Sequence, residues 1–314
     1  MEKNVVCAKC GALNFENAKF CNKCGSEIPV INEMPMESET PKKKSKKLII
    51  IGLAGALAVF LVILFTVIIP KAKDKAVKNA IVEKFNNLNV GDEVTFGMYE
   101  QDGNDASKEM VEWIVLDKQD GRYLLLSKYV LDTVPYHSEN AYITWEKSYV
   151  REWLNDDFYN NVFADSEKTL IENSSIKGDF NSIYYVHGGK DTIDNVFLLS
   201  TTEVEYYYDN KMRRPCKATQ YAINQDVYVD EYGWCRWWLR TPGRDMNYST
   251  LVEIDLAFEG YKLFDNGDIN FEGRDNTYSG IGIRPAIWVN IGTDKNNNNS
   301  IPTQEEFSGG IGEI

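Results

Sequence analysis

A chain of 314 residues, 43% apolar and with a formal net charge of −13, is long enough to bury a sizeable core and too apolar to remain an unfolded polyelectrolyte. The acidity is uneven: residues 1–47 hold nine Lys and six Glu, a net of +3, which leaves −16 on the rest. That surplus disfavours nucleic acid and other polyanions as partners and accepts cationic or neutral ones.

The chain opens on Cys7-Ala-Lys-Cys10 and Cys21-Asn-Lys-Cys24. Two Cys-x-x-Cys pairs supply four soft thiolates for one tetrahedral ion, and zinc is the metal that such a set predicts. Gly11 and Gly25 follow the second cysteine of each pair, where a metal knuckle needs a positive φ. A module of residues 1–28 is too short for an adequate apolar core, so the metal must supply its folding energy. These residues resemble the short bacterial zinc ribbon found at the N terminus of many membrane proteins. Four Lys against three Glu and no row of stacking aromatics leave no nucleic-acid footprint. A structural zinc supporting a protein partner is expected, with metal-free redox cysteines as the alternative.

Residues 29–47, with Pro29, Pro35, Pro41 and five lysines, read as a flexible basic linker. Residues 48–69 follow, apolar apart from Thr66 and two glycines. As a helix they would reach about 33 Å, enough for a bilayer core of about 30 Å. A single-pass transmembrane helix over 48–69 is therefore expected. Lysines 42, 43, 44, 46 and 47 before the run outnumber lysines 71, 73, 75 and 78 after it, and metal-binding thiolates survive in a reducing compartment. Both features predict a cytoplasmic N terminus and an extracytoplasmic C-terminal domain in the cell membrane.

Residues 70–89 read as a polar helical stalk, and 90–292 as an α+β domain. Strands are expected at 94–98, 112–116 and 123–127, the last two joined by a turn at Asp120-Gly121. Ser148 is the expected cap of a helix over 149–154, and Asp165 of one over 166–173. A strand at 196–199 runs into Ser200-Thr-Thr-Glu203, a capping-box spacing. Strands at 237–240, 252–258 and 283–289 follow, with a hairpin turn at 265–268. Trp113, Trp237 and Trp288 are expected in the core.

Four motifs stand in order along this domain: Trp113-Ile-Val-Leu, Val150-Arg-Glu-Trp-Leu-Asn155 followed by Phe158, Trp237-Trp-Leu-Arg-Thr-Pro-Gly243, and Gly282-Ile-Arg-Pro-Ala-Ile-Trp288. Over about 90–290 they resemble a bacterial surface domain related to the C-type-lectin-like fold, a superfamily that includes the formylglycine-generating enzymes. The resemblance implies a lectin-like fold and carries no established activity. Lectin-like folds bind at their long-loop side, which makes the Tyr-, Asn-, Asp- and Arg-rich loops between Met212 and Asn276 the expected ligand face. Arg240 and Arg284 are the candidate contacts, against the alternative of buried guanidinium groups that tie loop carbonyls together.

Cys216 and Cys235 are the remaining cysteines. In an exported domain they suggest one disulfide. The enzyme relatives imply instead a copper-dependent oxidative pair, and two free thiols are the third reading. His137 and His187 are the only histidines, and no nucleophile–base set or carboxylate pair stands out. In the polar tail, 293–314, Asp294, Asn296, Asn298 and Glu305 fall at calcium-loop spacing, with Asn299 in the place of the usual glycine; a solvated Asn-rich tail is the alternative. The expected function is binding: a membrane-held domain taking a glycan, peptide or protein ligand outside, with a protein partner at the zinc ribbon. An exported enzyme using Cys216 and Cys235, and an envelope-sensing link, are the alternatives.

Overall fold

The computed structural model describes residues 4–15, 17–28, 63, 64, 66, 69–104, 107–254, 256–258, 261–264 and 266–292. The chain forms two compact units, the first ending at Val67 and the second beginning at Ile68. The calcium-loop residues Asp294, Asn296, Asn298 and Glu305 lie outside the described residues.

In the first unit β1 (Asn4–Val6) pairs antiparallel with β2 (Leu13–Phe15). Its buried cluster consists of Cys7, Cys21 and Ile28. Two of those three residues are thiols, so the fold has almost no apolar core of its own and depends on what the thiols hold.

The expected membrane anchor is corrected. Among the described residues no helix is long and apolar enough to cross a membrane. The helix that the structure describes here, Ile69–Asn86, is polar, with Lys75, Lys78 and Lys84 along it and a single buried aromatic, Phe85. Of the apolar run 48–69, only Ile63, Leu64, Thr66 and Ile69 are among the described residues. The cytoplasmic and extracytoplasmic sides assigned from the lysine counts required a crossing helix, and they fall with it. Nor is the helix a free stalk. Phe85 is fully buried and meets Phe96 and Tyr123 edge-on at 5.8 and 5.4 Å, while Ile81 and Val82 pack on the same core.

Beyond it, β3 (Glu93–Tyr99), β4 (Glu109–Gln119) and β5 (Arg122–Ser127) run as an antiparallel meander. The β4–β5 turn at Asp120-Gly121 has positive φ at both residues, as a tight two-residue hairpin requires. After β6 (Asp132–Thr133) come the expected Ser148-capped helix, Tyr149–Trp153, and a single helical turn, Asp165–Lys168. Asp165 is its first helical residue rather than its cap, and the Glu167 carboxylate instead accepts from the Ala164 amide. Two nested hairpins follow: β7 (Ser174–Ile176) with β10 (Thr192–Asp194), and inside it β8 (Phe180–Asn181) with β9 (Val186–His187). β11 (Val196–Phe197) then leads into the helix Thr201–Tyr207, closed by the expected Ser200–Glu203 capping box.

The second half is strand and loop. β12 (Cys216–Lys217) pairs with β13 (Trp234–Cys235) in a two-stranded ladder, with single bridges from Ala218 to Val130 and from Cys235 to Val229 beside it. The remaining strands are β14 (Trp237–Pro242), β15 (Tyr248–Val252), β16 (Leu256–Phe258), β17 (Tyr261–Phe264), β18 (Ile269–Asp275), β19 (Gly282–Ile283) and β20 (Ala286–Asn290). One five-stranded sheet has the order β11-β20-β5-β4-β3 and another the order β18-β15-β14-β19-β6. The expected strand 283–289 is thus two strands in two sheets. Pro285 has no amide for a ladder, so the chain changes sheets at Arg284-Pro285, where the Ser127 amide bonds the Pro285 carbonyl. The expected strand 252–258 is likewise split, and the turn at 266–267 joins strands of different sheets rather than a hairpin.

One hydrophobic cluster runs through both sheets and includes Trp113 and Trp237, both fully buried. Trp288 departs from expectation: it is half-buried and carries the Arg122 guanidinium on its face at 4.7 Å. The architecture is α+β and mostly sheet. The motifs that suggested a lectin-like domain are strand, helix and core residues within it.

Candidate metal centre and ligand cleft

The two cysteine pairs are built alike. The Gly11 amide bonds the Cys7 carbonyl and the Gly25 amide the Cys21 carbonyl, each at 2.9 Å, with φ of +70° and +65° at the glycines. The Cys7 amide returns to the Ala12 carbonyl, and that of Cys21 to the Ser26 carbonyl. This doubled turn brings four sulfurs together, all within 4.8 Å of one another. Cys7 and Cys24 stand 3.8 Å apart and Cys10 and Cys21 3.5 Å. A tetrahedron of thiolates about 2.3 Å from a central ion has edges of about 3.8 Å, so the residues present fit a metal.

The surroundings favour thiolate at Cys7 and Cys21, whereas at Cys10 the lowering by the Ala12 amide is outweighed by the Cys24 and Cys21 sulfurs, which push it up to about 12. The Ser26 hydroxyl, then the amides of Cys10 and Lys9, hold Cys7 down at about 6, and the Lys23 amide leads the lowering of Cys21. Asn14, buried between the knuckles, donates to the Ala12 carbonyl and the Cys21 sulfur and accepts from the Asn22 amide. Nothing in the spacing of the cysteines pointed to Asn14 as the brace.

Arg240 and Arg284 do not line an open face. Arg240 is 4% exposed; it grips Glu203 through both terminal nitrogens and donates to the Leu198 carbonyl at 2.8 Å. Arg284 is 2% exposed; it donates to the carbonyls of Ser127 and Arg214 and lies 4.9 Å from the Trp237 ring. Each guanidinium is spent on internal partners. Cys216 and Cys235 stand opposite each other on β12 and β13 and are buried free thiols. His137 accepts from the Tyr149 amide, and His187 stacks on Phe180 at 4.9 Å. The Glu100–Asp102–Glu109 carboxylates converge as well, but they accept from the amides of Gln101, Gly103 and Asn104 and serve to close that loop.

The open surface lies elsewhere, around the β8–β9 hairpin. Its root is clamped. The buried Asn181 amide donates to the carbonyls of Pro242, Gly243 and Phe271 and accepts from the amides of Ile183 and Tyr184. Next to it Asp179 accepts from the hydroxyls of Thr201, Thr202 and Thr241. At Gly188 a Cβ would stand 2.1 Å from the Asp179 carbonyl oxygen, so only glycine admits this closeness of the two strands. The tip is Ile183-Tyr184-Tyr185, and Tyr185 holds φ +58° while 80% exposed. It rims a cleft of about 530 Å³ with Tyr142, Thr144, Glu146, His187, Asp245 and Met246. A second cleft of about 540 Å³ on Arg244, Glu272, Arg274 and Tyr278 is charge-balanced, since Arg244 pairs with Glu272 at 2.7 Å.

Residues 120–291 match a family described as a domain of unknown function, DUF6273. The chain belongs to that family. No curated protein and no solved structure matches it. The lectin-like expectation therefore stands corrected to α+β, mostly sheet, with no structural relative behind it. The DUF6273 segment begins in the β4–β5 turn and ends just after β20, so it contains the hairpin, the cleft and all of the second sheet. β3 and β4 lie before it and complete its first sheet. Tyr142, Asn181 and Tyr185 escaped the sequence reading. The available signal was Asn181-Ser-Ile-Tyr-Tyr-Val-His-Gly-Gly189, adjacent aromatics bounded by an Asn and paired glycines.

Proposed function

We propose that the DUF6273 unit is a recognition module that takes a neutral glycan in the Tyr142–Tyr185 cleft, and that the first unit is a zinc-held knuckle that contacts a protein. The observation that carries the first reading is Tyr185. A bulky residue in the left-handed region costs on the order of 1–3 kcal/mol, and a ring left 80% exposed recovers little of it by burial. Such strain persists where the surrounding structure enforces it, and here Asn181, Asp179 and Gly188 do so. Two tyrosine faces offer stacking surfaces for sugar rings, while Glu146, Asp245 and Thr144 offer acceptors and a hydroxyl for sugar hydroxyls. The domain's net of −16 favours a neutral ligand over a polyanion.

An array carrying neutral oligosaccharides beside peptides tests this. Binding to oligosaccharides that disappears in Tyr142→Ala and Tyr185→Ala, with thermal unfolding unchanged, is the expected result. Binding to peptides alone, or glycan binding indifferent to both substitutions, refutes it. For the first unit, the all-thiolate donor set and the spacing of its sulfurs support zinc. The exposed Val6, Leu13, Phe15 and Phe20 provide an apolar surface for a protein partner. One zinc retained per chain, removed by a chelator together with the structure of residues 4–28, is expected; a unit that keeps its fold without metal contradicts it.

A further inference from the structure

Cys216 and Cys235 take no part in the cleft, and their setting has its own chemistry. They are cross-strand partners in the β12–β13 ladder and are 2% and 1% exposed. Directly opposed residues of an antiparallel pair have Cα atoms about 4.5–5.5 Å apart, inside the roughly 4.4–6.8 Å that a disulfide spans. Joining them therefore needs only a small adjustment of the strands, to bring the Cβ atoms from about 4.5–5.5 Å to the roughly 3.5–4.5 Å of a disulfide. The ladder is two residues long on each side and belongs to neither five-stranded sheet. Its edges carry single bridges, Ala218 to Val130 and Cys235 to Val229, and both sulfurs lie in the core, so attack on them requires local opening of this edge, which bares both sulfurs at once.

The third member of the group is Arg284. Among the described residues no carboxylate pairs with its buried guanidinium, which has only carbonyls and the faces of Trp237 and Tyr208 around it. The acidic groups that it does influence are the two thiols. Burial pushes both thiols above the usual cysteine range, and the Arg284 charge offsets part of that rise. The guanidinium holds the Ser127 and Arg214 carbonyls while the Cys216 sulfur donates to the neighbouring Lys128 carbonyl, so the cation lies beside the Cys216 strand, where it opposes the cost of forming a thiolate.

We propose that Cys216 and Cys235 are a reversible dithiol–disulfide pair, oxidised by a low-molecular-weight disulfide of the glutathione class, with Arg284 as the positioning residue that stabilises the attacking thiolate. One thiolate attacks a sulfur of the small disulfide, forming a mixed disulfide and releasing one small thiolate. The second protein thiolate attacks the protein sulfur of that bond, forming Cys216–Cys235 and releasing the other. The two protein thiol protons end on the two released thiols: one disulfide bond is consumed, one is made, and the protein loses two electrons to the small disulfide. The product closes residues 217–234 into a loop. That loop contains the helix Gln220–Asn224, whose Tyr221 meets Tyr99 at 5.6 Å, so oxidation tightens the contact between this segment and the first sheet.

The test uses the full chain exposed to oxidised glutathione, quenched in acid, alkylated and mapped by mass spectrometry, so that the sulfurs of residues 7–24 are followed separately. The expected result is a peptide containing Cys216 joined to one containing Cys235, lighter than the two together by two hydrogens and separated again by dithiothreitol. In Cys235→Ser the Cys216 thiol is expected to stop at the glutathione adduct. Recovery of both thiols singly alkylated, or of adducts on both without a joined peptide, overturns the proposal. Arg284→Lys keeps the cation and is expected to close near the parental rate, with Arg284→Met several-fold slower, because the smaller thiolate fraction is only partly offset by the greater nucleophilicity of the more basic thiolate. Equal rates in the two variants overturn the role given to Arg284.

Discussion

Asn181→Ala tests whether the cleft is held open by the hairpin's root. The side chain is fully buried, and its amide serves three carbonyls and two backbone amides. Counting two donor hydrogens and one acceptor, each worth about 1 kcal/mol net, gives a loss of ~3 kcal/mol. Carbonyls left dry add to that loss and water entering the gap subtracts from it, so a range of about 2–4 kcal/mol is expected. For a domain of this size each kcal/mol moves the melting point by roughly 2–4 °C, so the variant should melt about 4–16 °C lower. Denaturant unfolding gives the stability change as a lowered midpoint at constant slope. Asn181→Asp keeps the shape but faces the three carbonyls with oxygen, and should lose at least as much. Once the Ile183 and Tyr184 amides lose their partner, Tyr185 is free to leave φ +58°, and glycan binding should weaken even where the domain stays folded. A variant within 0.5 kcal/mol of the parent, with binding intact, would refute the clamp and the argument from strain built upon it.

Asn14→Ala removes the brace behind Cys21 and should weaken metal affinity 10–100-fold while leaving the four ligands in place, measured by competition with a chelator of known strength. Glu203→Ala strands the buried Arg240 guanidinium and should cost about 3 kcal/mol in denaturant unfolding, whereas Glu203→Gln, which keeps an acceptor, should cost less. Burial raises Asp132 above its usual 3.8, against the hydrogen bond it accepts from Tyr99. An acid whose pKa is higher in the folded state binds its proton more tightly there, so its stabilising contribution is complete below 3.8 and is lost as the pH climbs through the raised value. The stability of the parent relative to Asp132→Asn should therefore decline as the pH rises above about 4, and a flat or rising difference contradicts the assignment.

The features legible in the sequence are those written in neighbouring residues. The knuckles follow from Cys-x-x-Cys-Gly, the Thr201–Tyr207 helix from Ser200 and Glu203, and the β4–β5 hairpin from Asp120-Gly121, because each device closes within a few residues. Where the fold depends on distant partners, sequence reading fails. Nothing near Pro285 says that Ile283 pairs with Asp132 in one sheet while Ala286 pairs with Leu126 in the other. The β8–β9 hairpin has two residues per strand, too few for an alternation to show. Arg240 and Arg284 attracted interest as charges beside prolines, but the carboxylate and carbonyls that absorb them lie 37 to 157 residues away along the chain. The helix Ile69–Asn86 is helical as its spacing predicts, but the apolar residues on it, Phe85 above all, anchor it to the core where a polar stalk was expected.

Saturation-transfer NMR of the full chain with a panel of neutral oligosaccharides addresses glycan recognition most directly. Transfer from the protein's aromatic protons to the ring protons of at least one sugar, abolished when Tyr142 and Tyr185 are both replaced by alanine, is the predicted outcome. Absence of transfer to every sugar, or transfer that survives the double substitution, contradicts a glycan site in this cleft.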